Sequence, residues 1–204
     1  MTIAQRFGWG LMTFLSLGVG AYGFFHVVTG FAHVPAEVSS NGFFSPAGLH
    51  VHIAASAVAL TLGPFQFLRT IRAKLPALHR WSGRLYVAAC VCGGFAGGAI
   101  AMFSSSGAMA GLGFLALAIL WLTFTSLAFR AALRRNFRAH ERWMIRSFAL
   151  TFAAVTLRIY LPIGINLSGE FVLPYTIIAW ISWLPNLLVA EAWLSMKRRQ
   201  PVLA

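Results

Sequence analysis

The sequence predicts an all-α membrane protein of six transmembrane helices, with its N- and C-termini both in the cytoplasm. Of its 204 residues, 59% are hydrophobic and 10% are charged, and the mean hydropathy is +0.76. A soluble domain of this size could not bury so much apolar surface. Apolar runs of about 20 residues, the length that crosses a bilayer, fill most of the chain and predict one membrane domain over residues 1–204. The predicted spans are 8–30, 47–68, 81–103, 110–132, 143–165 and 173–195.

The distribution of basic residues supports this topology. The chain has 16 Lys and Arg residues against 4 acidic ones, a formal net charge of +12. All the basic residues except Arg158 lie before the first span, after the sixth, or around the connections that follow the second and fourth spans. This positive-inside pattern predicts a multi-pass membrane protein whose basic connections face the cytoplasm, and we expect the membrane to be the bacterial inner membrane. It also predicts contact between the cytoplasmic loops and anionic lipids, and it gives no support to nucleic acid as a partner.

The first two spans carry histidines near the outer surface. The apolar run of the first span is too long for a cleaved signal peptide, so we expect it to be retained. Tyr22 and His26 lie four residues apart on one face of its outer half. The second span opens with His50 and His52, which a helix directs to nearly opposite sides. We expect His52 to face the interior, because it shares its face with Ser56, Ala59, Gly63 and Gln66.

The third span carries a stripe of small residues on one helical face. The stripe follows His79 at steps of three and four residues and consists of Gly83, Tyr86, Cys90, Gly93 and Gly97. Such a stripe admits a neighbouring backbone or a flat ligand. Cys90 and Cys92 lie on different faces, so we expect neither a disulfide nor a thiolate metal site. The fourth span is almost wholly apolar and suggests no chemistry.

The fifth span contains a charge at membrane depth. Arg158 lies eighteen residues after His140, or about 27 Å along a helix, which places it in the outer half of the membrane. A charge at the bilayer centre costs about 2.5–3.5 kcal/mol on insertion scales, so Arg158 should face the bundle and have a partner. The candidate partners are Glu170, Glu37 or an anionic group of a ligand.

The sixth span holds a proline and an acidic residue. Pro185 frees a backbone carbonyl and is expected to kink the helix. Glu191 lies near the inner end, within reach of basic residues on neighbouring spans, and a salt bridge is its simplest role. The basic residues considered are Arg84, Arg146, His79 and His140.

Two segments of the chain resemble each other and predict two similar helical hairpins, over about 47–103 and 110–165. His79 and His140 each open an apolar span, and each follows an arginine by ten residues. The pairs Trp81/Arg84 and Trp143/Arg146 share the spacing Trp-x-x-Arg. Two explanations remain open for these similarities: duplication of a hairpin, and chance similarity between two basic turns.

The motif His-Arg-x-x-Gly-Arg-x-Tyr at 79–86 resembles the signature of a bacterial family of predicted multi-pass membrane proteins of unknown function. The resemblance covers the chain from about residue 45 onward and implies membrane location and little else. The features that agree with it are Gly63-Pro64-Phe65-Gln66, His140, Trp143 and Arg158. A looser resemblance is to the two-haem cytochrome b membrane proteins of the ascorbate-reducible type. In those proteins, histidines on four central helices ligate haem iron in pairs.

That second resemblance implies a b-type haem, with His79 and His140 as the iron ligands near the cytoplasmic face, and an electron carrier as the function. The glycine-lined face below His79 would admit the macrocycle. The cofactor-binding residues would be His79, His140, Gly83, Tyr86, His52 and Arg158. The sequence also departs from the pattern, because residues 111–114 (Gly-Leu-Gly-Phe) stand where a mate of His50 or His52 is expected. His79 and His140 also lie at the membrane boundary, which is shallow for a buried haem.

Two further functions remain open. His26, His50 and His52 near the outer surface predict a metal site, and hence a metal- or proton-linked transporter. A non-catalytic module that binds lipid, a quinone or a partner subunit is the other. A hydrolytic enzyme is disfavoured, because the chain has no aspartate and no Gly-x-Ser-x-Gly motif.

Overall fold

A computed structural model describes residues 3–30 and 46–199, and in that part of the chain all regular structure is helical. The helices at membrane depth are long because their residues are apolar and their backbone groups bond within the helix. In chain order, the helices are α1 Ile3–Thr29, α2 Pro46–Gln66, α3 Arg69–Lys74, α4 Pro76–Ala101, α5 Ala108–Leu133, α6 Phe137–Thr151, α7 Ala153–Ser168, α8 Val172–Ile181 and α9 Leu184–Arg199.

These helices form six spans, as the hydropathy predicts. Each of the six is long and apolar enough to cross a membrane. The fifth span consists of α6 followed by α7, and the sixth of α8 followed by α9. We call the end of the bundle that carries α3 and the α5–α6 turn the basic end. The other end, where α4 meets α5, is the opposite end.

Three spans begin several residues earlier than predicted. The first begins at Ile3 instead of residue 8, the third at Pro76 instead of residue 81, and the fifth at Phe137 instead of residue 143. Pro76 suits the first helical turn because its ring presets the backbone. Asn136 caps α6, its side chain accepting a hydrogen bond from the backbone N–H of Ala139 at 3.1 Å. Hydropathy misses these starts because basic residues within them, such as Arg80 and Arg138, interrupt the apolar run.

The fifth and sixth spans are each interrupted near mid-length. The sixth breaks at Ser182 and Trp183, just before Pro185, which confirms the expected kink. Asn186 donates to the carbonyl of Ser182 at 3.0 Å, and the hydroxyl of Thr156 donates to the same carbonyl. The break in the fifth span, at Phe152, carries no proline and was not predicted.

The spans pack in a ring-like order that sets the position of the interior. Helix α1 packs on α2, α2 on α4, α4 on α5, and α5 on both α6 and α8, while α7 touches α1 and α8. Small residues bring the backbones close, and large side chains fill the core between them, including Tyr86, Trp121, Phe148 and Trp183.

Candidate functional site

A cavity of about 240 Å³ lies inside the bundle, between its middle and its opposite end. Its walls come from α1, α2, α4, α5, α6, α7 and α8, so no single hairpin forms it. Most of the lining is apolar. The polar or aromatic side chains that line it are His52, Ser56, Ser104, Phe114, Trp121, Thr151, Arg158, Tyr175 and Ser182.

Arg158 of α7 is the only charged residue in the described lining of this cavity. Its Nη1 donates to the carbonyl of Ala154, one turn earlier, at 3.0 Å. Its Nε is buried and makes no hydrogen bond to any described residue. The prediction that Arg158 faces the bundle is confirmed. Glu170 is exposed and forms no salt bridge with it within the described residues, and Glu37 lies outside them.

Helix α1 covers Arg158 with an aromatic pair. The guanidinium carbon lies 5.7 Å from the ring centroid of Tyr22. Tyr22 in turn meets His26 edge to face, with ring centroids 4.3 Å apart, and His26 is 3% exposed. Tyr22 and His26 therefore share one face, as predicted. A cation over an aromatic face gains about 0.5–2 kcal/mol, but it leaves the N–H donors of the guanidinium available.

His52 of α2 also lines the cavity, which confirms that it faces the interior. Its Nδ1 lies 2.8 Å from the carbonyl oxygen of Gly93 on α4. A carbonyl oxygen only accepts, so Nδ1 carries the proton of this bond. Nε2 has no hydrogen-bond partner among the described residues.

A chain of buried hydroxyl groups begins at Thr151 in the cavity wall and continues between helices α4, α5 and α6. Thr151, in the cavity wall, donates to the carbonyl of Ser147 at 3.0 Å and accepts from Nε1 of Trp121 at 2.9 Å. The hydroxyl of Tyr86 lies 2.9 Å from Thr151 and 3.0 Å from Ser147. Thr125 lies 2.6 Å from Ser147. Because the proton of Thr151 is already used, Tyr86 donates to Thr151, Ser147 to Tyr86, and Thr125 to Ser147.

His79 and His140 lie at the basic end, away from the cavity lining. Each is the fourth residue of its helix, α4 or α6. Nδ1 of His140 lies 2.9 Å from the carbonyl oxygen of Ala128. Nδ1 of His79 is buried and makes no hydrogen bond to a described residue.

The glycine stripe below His79 packs against α2. A Cβ at Gly83 would lie 3.1 Å from Oε1 of Gln66, and one at Gly93 would lie 3.2 Å from Oγ of Ser56. Tyr86 is fully buried in the hydroxyl chain. The stripe therefore packs against a neighbouring helix, as one of the two predicted roles requires.

The residues predicted as one cofactor site thus fall into two groups. His79, His140 and Gly83 lie at the basic end, whereas His52 and Arg158 lie in the cavity wall. The outer histidines do not converge as a set either. Within residues 3–30 and 46–199, no three His, Cys, Asp or Glu residues lie close enough to hold a metal ion.

Two salt bridges join α6 and α9 at the basic end. Arg146 donates to both carboxylate oxygens of Glu191, at 2.5 and 2.8 Å, which confirms the expected salt bridge of Glu191. Lys197 pairs with Glu141 at 2.8 Å. The two Trp-x-x-Arg pairs have the same geometry. The guanidinium carbon of Arg84 lies 4.8 Å from the ring centroid of Trp81, and that of Arg146 lies 4.7 Å from the ring centroid of Trp143.

A family model described as predicted membrane protein (DUF2306) matches residues 49–194. The chain belongs to this family. Within the family match lie five spans, together with His52, the hydroxyl chain and Arg158. Helix α1, which supplies Tyr22 and closes one side of the cavity, precedes it. No match was found among curated proteins or among solved structures.

Several residues around this cavity, among them Tyr22, Trp121 and Thr151, were not among the predicted site residues. Tyr22 faces Arg158, and Trp121 and Thr151 line the cavity. The signal for Thr151 was present, because Ser147 and Thr151 lie four residues apart in an apolar span and share a face. Trp121 gave no signal, since an isolated tryptophan in an apolar helix is ordinary. The partner of Tyr22 is set by tertiary packing, which a single helix does not specify.

Proposed function

We propose that this protein is a membrane module that binds a small amphipathic molecule, of the quinone or lipid class, in the cavity beside Arg158. The observation that carries the proposal is the buried Nε of Arg158, which has no acceptor among the described residues. A buried donor on a charged group is costly when it is left unsatisfied. A ligand oxygen at this position would remove that cost.

The cavity dimensions and walls limit the kind of ligand. Its volume of about 240 Å³ is below the range of about 300–1,000 Å³ that is typical of drug-sized ligands. A single ring or a short headgroup suits this space, whereas a haem macrocycle is too large for it. The apolar walls favour a ring or chain that partitions from the lipid, with one oxygen directed at Arg158.

Thermal unfolding of the purified protein in detergent tests this proposal. The probes are duroquinone, durohydroquinone and decanoate, each added to wild type, Arg158→Leu and the control Arg130→Leu, whose arginine is exposed at the basic end. A ligand that binds only the folded state raises the unfolding temperature. We expect at least one probe to raise it in wild type and Arg130→Leu, and none to raise it in Arg158→Leu. No shift with any probe, or equal shifts in all three proteins, would contradict the proposal.

A b-type haem electron carrier is a second proposal, and it concerns the basic end. It is supported by the equivalent helical positions of His79 and His140 and by the buried Nδ1 of His79. The donor set suits bis-histidine ligation, and such a haem would supply one-electron transfer. The stripe that was expected to admit the macrocycle is filled by α2, so the fit is confined to the ligands themselves.

The absorption spectrum of the purified protein decides on the haem proposal. With haem supplied during expression, that proposal expects a Soret band and sharp α and β bands on reduction. Either His79→Ala or His140→Ala should abolish the low-spin spectrum, and His50→Ala should preserve it. A colourless wild-type protein would rule the proposal out.

A further inference from the structure

Two groups in the cavity wall have fixed and opposite hydrogen-bonding roles. The guanidinium of Arg158 has only N–H donors. Nδ1 of His52 donates its proton to the carbonyl of Gly93, at 2.8 Å, so the lone pair of Nε2 remains as an acceptor. The cavity therefore offers a donor and an acceptor from two different helices.

The acceptor role of His52 is maintained by its surroundings. A protonated imidazole would add a second positive charge to the cavity wall that contains Arg158. The described lining holds no aspartate or glutamate that would compensate such a charge. The other ionisable side chain in the lining is Tyr175, which is neutral at physiological pH. The hydrogen bond to Gly93 therefore holds His52 in the tautomer that leaves Nε2 as an acceptor.

We propose that the ligand of this cavity is a hydroquinone, the reduced form of a quinone, and that His52 selects it over the oxidised form. This inference rests on the proposed function. One oxygen of a para-hydroquinone accepts from Arg158, and the hydroxyl at the other end of the ring donates to Nε2 of His52. A quinone has carbonyl acceptors at both ends, so one of them would face the lone pair of Nε2.

The remaining walls suit an aromatic ring. Trp121 and Tyr175 offer aromatic faces, and Leu157 and Ile53 offer aliphatic ones. Aromatic pairs contribute about 0.5–1.5 kcal/mol beyond the area that they bury. The ring is thus held by apolar contacts that do not depend on its oxidation state. Discrimination between the two forms is left to His52.

Equilibrium binding of durohydroquinone and duroquinone, measured in parallel under anaerobic conditions, tests the inference. We expect wild type to bind durohydroquinone on the order of tenfold more tightly, the ratio that corresponds to about one net hydrogen bond. His52→Gln presents an amide that both donates and accepts, so this variant should bind the two forms with nearly equal affinity. His52→Leu lacks the acceptor and should lose the preference as well.

The outcomes separate this inference from the proposed function. Equal affinities in wild type, with both lost in Arg158→Leu, would overturn the hydroquinone selection and leave the proposed function intact. A preference that survives in His52→Gln or His52→Leu would also overturn it. Failure of both probes and of decanoate to bind wild type would overturn both. If either His52 variant fails to fold, the affinities of wild type for durohydroquinone and duroquinone still test the inference.

Discussion

A Cβ atom on Gly97 would lie 2.6 Å from Nδ1 of His52, the atom that bonds to Gly93. Glycine at position 97 thus makes room for the imidazole in the interface between α2 and α4. Contacts below about 3.0 Å to a real Cβ are essentially not seen. The orientation of His52 therefore depends on the absence of a side chain one turn along α4 from its hydrogen-bond acceptor.

Gly97→Ala is expected to displace His52 and weaken binding of durohydroquinone. The neighbouring Gly98→Ala is a matched control, because its Cβ would lie 3.5 Å from the Cβ of Ala118, an ordinary contact. Both changes have the same effect on helix propensity, where alanine is the better residue. Binding assays on the two variants should show a loss only for Gly97→Ala. Equal binding by both would mean that His52 does not need its present position.

Tyr86→Phe is expected to destabilise the protein by about 1–2 kcal/mol. It removes a hydroxyl that bonds to Ser147 and Thr151, and single interhelical hydrogen bonds in membranes average about 0.6 kcal/mol with maxima near 1.7. Reversible unfolding in mixed micelles gives this difference. Tyr160→Phe, at a partly exposed tyrosine, serves as the control and should have a smaller effect. A loss no greater than that of the control would show that the hydroxyl chain contributes little to stability.

The fold was predictable because hydropathy reports directly on the spans. All six were found, and the errors lie at helix starts such as Pro76 and Phe137, where charged residues interrupt the apolar run although the chain is already helical. Pro185 predicts one of the two helix breaks, the one in the sixth span. Nothing in the sequence marks the other break, at Phe152, since its neighbours all favour an uninterrupted apolar helix.

Two residues of the candidate site were predicted from the sequence to face the interior, but their surroundings were not. Arg158 was identified because a charge in an apolar span needs an interior position, and His52 because small and polar residues share its helical face. The resemblance to cytochrome b proteins joined them with His79 and His140 in one cofactor site. Helix packing separates them, since His79 lies at the start of α4 and His52 bonds to Gly93, in the second half of that helix. Periodicity assigns faces within a helix, whereas the depth and partner of each face depend on how the helices pack.

The two acidic residues at the basic end are expected to differ in importance. Glu191→Gln breaks a bidentate pair with Arg146, whose side chain is 12% exposed, whereas Glu141→Gln breaks a single contact with Lys197, whose side chain is 52% exposed. Exposed pairs contribute about 0–1 kcal/mol, and hydrogen bonds to buried charges about 1.5–3. Unfolding measurements should rank Glu191→Gln as the more destabilising change. The reverse order would show that burial of Arg146 does not decide the strength of its pair.

The orientation of the bundle follows from its charges. Reporter fusions after Arg72 and Arg135 should be active only with cytoplasmic reporters, and a fusion after Ser105 only with an extracytoplasmic one. Arg72 belongs to α3, and Arg135 to the turn between α5 and α6, which both lie at the basic end. An extracytoplasmic signal at Arg135 would contradict this orientation.

The most direct test of the central claim is the stoichiometry of labelled durohydroquinone bound to the purified protein. The cavity beside Arg158 predicts saturation at one molecule per chain in wild type and in Arg130→Leu. Arg158→Leu should bind at least tenfold more weakly, because it loses a charged hydrogen-bond donor. Saturable binding of equal affinity in wild type and Arg158→Leu, or no saturable binding in wild type, would contradict the account.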